Sequence, residues 1–150
     1  MPKSIHALTD KEIDDYFYNN KKFAGVFSKD ELPKLKPNKF YIINMQNHED
    51  PGTHWVYLDT LRPNFAYYFD SFGIPPPEVV KDRVHESGRQ GIMSGVQLQE
   101  LGTETCGYMC ILIAEERIKG KKFKDILQYT FHLNNPKANE IMIKSLFVGN

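Results

Sequence analysis

The sequence predicts an α+β fold, a small central and mostly antiparallel sheet flanked by helices. Three observations carry this. Between residues 40 and 69 lie three short runs rich in β-branched and aromatic residues, joined by turn-forming segments. Apolar residues recur at helical spacing before that block and again from Cys106 onward. The chain has 150 residues and carries no repeat, low-complexity tract or internal linker, so 1–150 is expected to be a single domain.

Taken in order, Thr9-Asp10-Lys11-Glu12 reads as a capping box, with Thr9 as N-cap and Glu12 at N3. Ile13, Tyr16 and Phe17 then supply an apolar stripe, which predicts a helix to about Asn20. Residues 23–35, with Gly25, Pro33 and nearby Pro37, read as irregular structure. Phe40 to Met45 reads as a buried strand, followed by a polar loop over 46–52. His54–Asp59 and Ala66–Phe69 are two further strands, with Leu61-Arg62-Pro63-Asn64 as turn material between them. Pro75-Pro76-Pro77 stops the chain, and Pro77 is expected at N1 of a helix reaching Ser87. Met93–Leu98 is expected as one more strand. From Cys106, residues Met109, Cys110, Ile113 and Ala114 repeat with helical period until Gly120 ends the helix. Two closing helices are expected over 123–131 and 137–147.

Composition narrows the function classes. Nineteen basic and nineteen acidic residues cancel, which argues against non-specific nucleic-acid binding, where a basic excess is usual. The one dense basic run, Lys119 to Lys124, reads as a solvated turn between two helices. The first residues are followed by no apolar h-region, so no signal peptide is expected. No stretch approaches the roughly 20 apolar residues of a membrane span. A soluble intracellular protein follows as the expectation. Two cysteines four residues apart, Cys106 and Cys110, cannot make a disulfide framework, and free thiols are expected.

The chemistry-bearing residues stand at the ends of predicted elements. His54 opens one strand and Asp70 closes its hairpin partner, so antiparallel pairing should make them neighbours. A carboxylate beside an imidazole fixes its tautomer and stabilises its protonated form. Cys106 begins a helix, where the positive end of the dipole and unpaired N–H groups favour a thiolate. Gly107 would let a substrate backbone approach, and the Cys106 N–H can face a developing oxyanion. Each residue also has an ordinary reading: His54 as a structural histidine, Asp70 as a turn cap, and Cys110 as a small hydrophobe of the helix. A metal site on Cys106, Cys110 and His54 or His48 is disfavoured, because a single C-x3-C pair without a second is poor zinc spacing.

Order and context together resemble a known family. Gly52-Thr53-His54-Trp55, Tyr68-Phe69-Asp70-Ser71-Phe72-Gly73, and Gln99 seven residues before Cys106-Gly107-Tyr108-Met109-Cys110 resemble the adenovirus protease (adenain) pattern. The same His, Asp, Gln, Cys order occurs in the ubiquitin-like-protein (SUMO) proteases, whereas papain-type enzymes place Cys before His. The resemblance spans roughly residues 20–115, with Phe23 to Phe27, Asp30 and Ile42-Ile43-Asn44 also fitting. It looks closest to the short adenain-like proteases of Polinton/Maverick elements and virophages. It implies the adenain-like fold, with the nucleophile at the start of a buried helix. By resemblance, His54 is the base, Asp70 orients it, Cys106 is the nucleophile and Gln99 donates to the oxyanion. Gln97 lies two residues off the family spacing.

The implied function is a cysteine endopeptidase that needs no cofactor or metal. Its implied substrates are viral capsid or core precursors, cut at Gly-containing sites during virion maturation, by an enzyme packaged in the virion. A protease acting on the Gly-Gly ends of ubiquitin-like modifiers, an acetyltransferase with the same triad and a non-catalytic module of the same fold are the alternatives. Adenain has Glu where Asp70 stands. Adenain's peptide and DNA activators are not carried over, since the chain lacks a third cysteine and a basic surplus. A monomer is expected.

Overall fold

Phe40-Tyr41-Ile42-Ile43-Asn44 and Trp55-Val56-Tyr57-Leu58-Asp59 are buried at every position, which requires a sheet covered on both faces. The computed structural model describes residues 4–46 and 54–148. In chain order the elements are α1 (Asp10–Phe17), β1 (Phe23–Ser28), a 3₁₀ turn (Lys29–Glu31), β2 (Phe40–Asn44), β3 (Trp55–Asp59) and β4 (Phe65–Phe69). They continue with α2 (Glu78–Glu86), β5 (Gln90–Met93), α3 (Cys106–Ile118), α4 (Phe123–Asp125), a π-helical turn (Ile126–Thr130) and α5 (Pro136–Phe147). The predicted loop beyond Gln46, His48, and the Gly52-Thr53 half of the histidine motif lie outside the described residues.

The sheet runs β1-β2-β3-β4-β5. Its three inner strands pair antiparallel, as the hairpin pattern requires, whereas β1 joins β2 and β5 joins β4 in parallel. The sheet is therefore mixed: two of its four pairings are antiparallel, short of the predicted antiparallel majority. Alternation along each strand divides the core. Phe40, Ile42, Trp55, Tyr57 and Phe69 face the layer that holds α3. Tyr41, Ile43, Val56, Leu58, Ala66 and Tyr68 face Leu32 and Val80 of the opposite layer. With α1 and α5 flanking α3 and α2 behind, the sheet lies in the middle of three layers.

The capping box forms as predicted, and Thr9 Oγ1 accepts from the Glu12 N–H at 3.1 Å. Four expectations are corrected. Residues 23–35 are not wholly irregular: 23–28 form β1, masked in sequence by a bulge between Phe23 and Gly25. Pro77 is the N-cap of α2, with extended backbone, and not its first helical residue. The last strand is Gln90–Met93, and Met93–Leu98 leads away from it. The first helix ends at Phe17, short of Asn20.

Helix α3 is tied to the sheet by a buried ion pair. Arg117 donates from Nε to Asp59 Oδ2 at 2.8 Å and from a terminal nitrogen to Oδ1 at 3.2 Å, a bidentate fork. Tyr57 donates its hydroxyl to the same carboxylate at 2.6 Å, and the guanidinium lies 4.3 Å from the Tyr67 ring centroid. Arg117→Ala strands a buried carboxylate and is expected to cost about 3–5 kcal/mol. A fall in urea midpoint at constant m-value checks it. Among the described residues, no helix is long and apolar enough to cross a membrane.

Candidate active site

His54 immediately precedes β3 and Asp70 immediately follows β4, so the β3–β4 ladder delivers both to one end of the sheet. His54 Nε2 donates to Asp70 Oδ1 at 3.1 Å. The same Oδ1 accepts the Phe72 N–H at 2.8 Å, and the Gly73 N–H closes the turn on the Asp70 carbonyl at 2.8 Å. Gly73 has φ +76°, and a Cβ there would lie 2.7 Å from the Val96 backbone, so glycine is required. Asp70 is buried, and its Oδ2 has no hydrogen-bond partner among the described residues. An unpaired buried carboxylate oxygen makes a neighbouring positive charge more valuable.

The imidazole is held on a second side by Phe72, whose ring stacks on it at 5.2 Å between centroids. Burial works to lower the His54 pKa. That effect is outweighed by the hydrogen bond to Asp70, then by a hydrogen bond with Cys106 and attraction to both groups, and the pKa is pushed up to about 9. His54 is thus an imidazolium at neutral pH, in contact with the carboxylate and the sulfur. With Nε2 on Asp70, Nδ1 is the ring nitrogen left to serve Cys106.

Cys106 is the first residue of α3, and its Sγ accepts the Trp55 N–H at 3.5 Å. Cys110 lies one turn on, with Sγ donating to the Trp55 carbonyl at 3.4 Å. Burial pushes the Cys110 thiol well up, which keeps it protonated and inert. The two sulfurs therefore share the backbone of one residue, Trp55, and differ in their other partners: Cys106 meets the imidazole, and Cys110 is enclosed by core.

Gly107 departs from its predicted use. A Cβ at this position would meet Leu8 at 3.1 and 3.2 Å and Trp55 Cδ1 at 3.2 Å, so its missing side chain makes room for core packing. Trp55 Nε1 donates to the Leu8 carbonyl at 2.9 Å, locking the N-terminal segment over the start of α3. Trp55 thus buttresses the Cys106 end of the helix.

Gln99 is buried on the same side of the molecule, 1% exposed, while Gln97 is exposed. Gln99 Oε1 accepts from Ser71 Oγ at 2.5 Å, and Nε2 donates to Thr103 O at 3.1 Å and Thr103 Oγ1 at 3.0 Å. The Leu98 and Gln99 N–H groups both donate to the Ser71 carbonyl, at 2.7 and 3.0 Å. Gln99 therefore bridges the residue after Asp70 and the loop before Cys106. Gln97 donates instead to the Gln99 carbonyl at 3.0 Å.

Ser71, Phe72, Thr103 and Thr105 are site residues that the sequence reading did not single out. Phe72 was within reach, since the β3–β4 register carried past its last pair brings it toward His54. Nothing in sequence marks the two threonines, because the partner they share, Glu140, comes from a distant segment. Among the described residues, no group of three or more His, Cys, Asp or Glu could hold a metal ion.

No protein-family model and no curated protein matches the chain. Solved structures do. The crystal structure of the ASFV pS273R protease aligns over 95% of this chain and 68% of its own, at 14% identity and a TM-score of 0.63. A selenomethionine form of that protease aligns over 95% and 69%, at 15% identity and a TM-score of 0.59. With identities this low, the likeness establishes a shared fold: this mixed five-stranded sheet with its flanking helices has the architecture of the ASFV pS273R protease.

Proposed function

We propose that the chain is a cysteine endopeptidase in which His54, Asp70 and Cys106 form the catalytic triad and Gln99 supports the oxyanion. The observation that carries this is His54 held between the Asp70 carboxylate and the Cys106 sulfur, at a helix start. The shared fold with a protease adds support.

The reaction is acyl transfer through a thioester. The Cys106 thiolate attacks a peptide carbonyl carbon, and the carbonyl electron pair moves onto oxygen. The Cys106 N–H and the Gln99 amide donate to that oxyanion. The oxyanion would compete with Thr103 for the hydrogens of Gln99 Nε2. As the tetrahedral species collapses, the imidazolium gives its Nδ1 proton to the departing amine, and the C–N bond breaks. Neutral His54 then takes a proton from water, which attacks the thioester and releases the acid and the Cys106 thiolate.

By resemblance to adenain and the SUMO proteases, glycine next to the scissile bond is the preferred substrate feature, and viral capsid or core precursors cleaved during virion maturation are the natural targets. Purified protein should release fluorophore from a Leu-x-Gly-Gly peptide, lose that turnover on iodoacetamide treatment and keep it in a chelator. Turnover that survives complete alkylation of Cys106 would refute the nucleophile. Strong preference for a folded ubiquitin-like conjugate over the peptide would favour a modifier protease.

A further inference from the structure

The loop between Gln99 and Cys106 is held from outside by α5. Glu140, half-buried, accepts the Glu100 N–H at 2.9 Å through Oε2. Its two oxygens accept from Thr105 Oγ1 at 2.9 and 3.1 Å, and Oε2 accepts from Thr103 Oγ1 at 3.2 Å. One residue back, Asn139 is fully buried and donates to the Leu98 carbonyl at 3.0 Å. A single turn of α5 thereby grips 98, 100, 103 and 105, the segment joining the two supposed oxyanion donors.

These contacts do more than tether. A carboxylate only accepts, so Thr105 must turn its one hydroxyl hydrogen to Glu140. Thr103 Oγ1 has the Glu100 carbonyl at 2.7 Å and Glu140 Oε2 as its acceptors, so its hydrogen also points away from Gln99. What remains toward Gln99 is a lone pair, which receives Nε2–H. At the other end of the amide, Oε1 takes the Ser71 hydroxyl. The Glu140 carboxylate thus sets the direction of the Thr105 hydrogen bond and, with the Glu100 carbonyl, that of the Thr103 hydroxyl, which leads through Gln99 to Ser71, the neighbour of Asp70. The Thr103 carbonyl accepts the same Nε2 group at 3.1 Å, so both Thr103 acceptors hold the amino end of the Gln99 amide.

We propose that Glu140 is a positioning residue for the oxyanion site, acting through Thr103 and Thr105 to hold the Gln99 amide and the start of α3 in register. The inference rests on the protease reading and adds a residue to it. Glu140 touches neither His54 nor Asp70, so its loss should spare the reactivity of the thiol and damage only steps that build an oxyanion. Misplacement of a catalytic group by about 1 Å can cost on the order of 10²-fold in rate.

The test compares Glu140→Gln, which keeps shape and loses the charge, with Glu140→Asp, which keeps an acceptor-only group. Two probes of Cys106 are used beside peptide turnover. Iodoacetamide alkylates by displacement and forms no oxyanion, whereas a peptide aldehyde ending in glycinal adds to the thiol and does. Glu140→Gln is expected to lower kcat about 10- to 100-fold with KM changed less than about twofold. Aldehyde affinity should weaken in parallel, while the alkylation rate of Cys106 stays within about twofold of wild type. Glu140→Asp should recover part of kcat. Wild-type kcat and aldehyde affinity in Glu140→Gln would overturn the inference, as would alkylation and aldehyde binding falling together with Tm. If the wild-type protein neither cleaves peptide nor is alkylated at Cys106, the protease reading itself fails, and this inference with it.

Discussion

Cys106→Ala is expected to abolish peptide turnover, with a fall on the order of 10⁶ in kcat, and to leave the fold intact. No other group in the site can replace the lost nucleophile. Cys110 is enclosed, its thiol is held protonated by burial, and it donates to the Trp55 carbonyl. Alanine suits the first turn of a helix, and among the described residues the sulfur gives up a 3.5 Å contact from the Trp55 N–H and its contact with the imidazole. The core beneath, built on Tyr108, Met109 and Ile113, is untouched. Thermal unfolding within a few degrees of wild type, together with absent turnover, is the expected pair of results. Residual activity above about a thousandth of wild type would point to a different nucleophile.

Asp70→Asn is expected to cut kcat by on the order of 10⁴. Its oxygen can still accept from the Phe72 N–H, so the turn that shapes the site survives. What disappears is the negative charge that outweighs burial and keeps His54 protonated. The consequence for stability has a definite sign. A folded-state pKa of about 9 lies above the ordinary 6.5, so His54 contributes stability fully below pH 6.5 and loses it as pH rises through about 9. Asp70→Asn should therefore destabilise the protein most near pH 6 and little above pH 9. Urea titrations at those two values check it. Equal destabilisation at both would show that Asp70 acts as a structural cap and not through the imidazole.

Much of this arrangement was legible from residue patterns. The inner strands announce themselves because both sheet faces are covered and, but for Asn44 and Asp59 at their ends, every position of β2 and β3 is apolar. The short turn after Asp59 then fixes an antiparallel register, which brings His54 and Asp70 to the same end of the hairpin, where they meet diagonally. Helical period from Cys106 onward, ended by Gly120, located α3. The outer strands were harder for physical reasons. β1 contains a bulge and Gly25, and its residues are only half-buried, so no clean alternation appears. β5 is a four-residue edge strand that is largely exposed and pairs in parallel through the α2 crossover, with little apolar signal. Gly107 read as a gap for substrate because glycine beside a nucleophile often is one; its packing against Leu8 and Trp55 depends on a contact nearly a hundred residues away in sequence. The grip of Glu140 on the Gln99–Cys106 loop was invisible for the same reason, as it joins segments connected only by the tertiary fold.

The central claim is that Cys106 and His54 form a working thiolate–imidazolium pair. The most direct measurement is the rate of iodoacetamide alkylation at each cysteine against pH, resolved by peptide mass spectrometry, for wild type and His54→Ala. Wild-type Cys106 should react far faster than Cys110, whose thiol burial keeps protonated, and His54→Ala should remove most of that advantage. Cys106 reacting no faster than Cys110, or following the same profile with and without His54, would contradict the pair and the protease reading built on it.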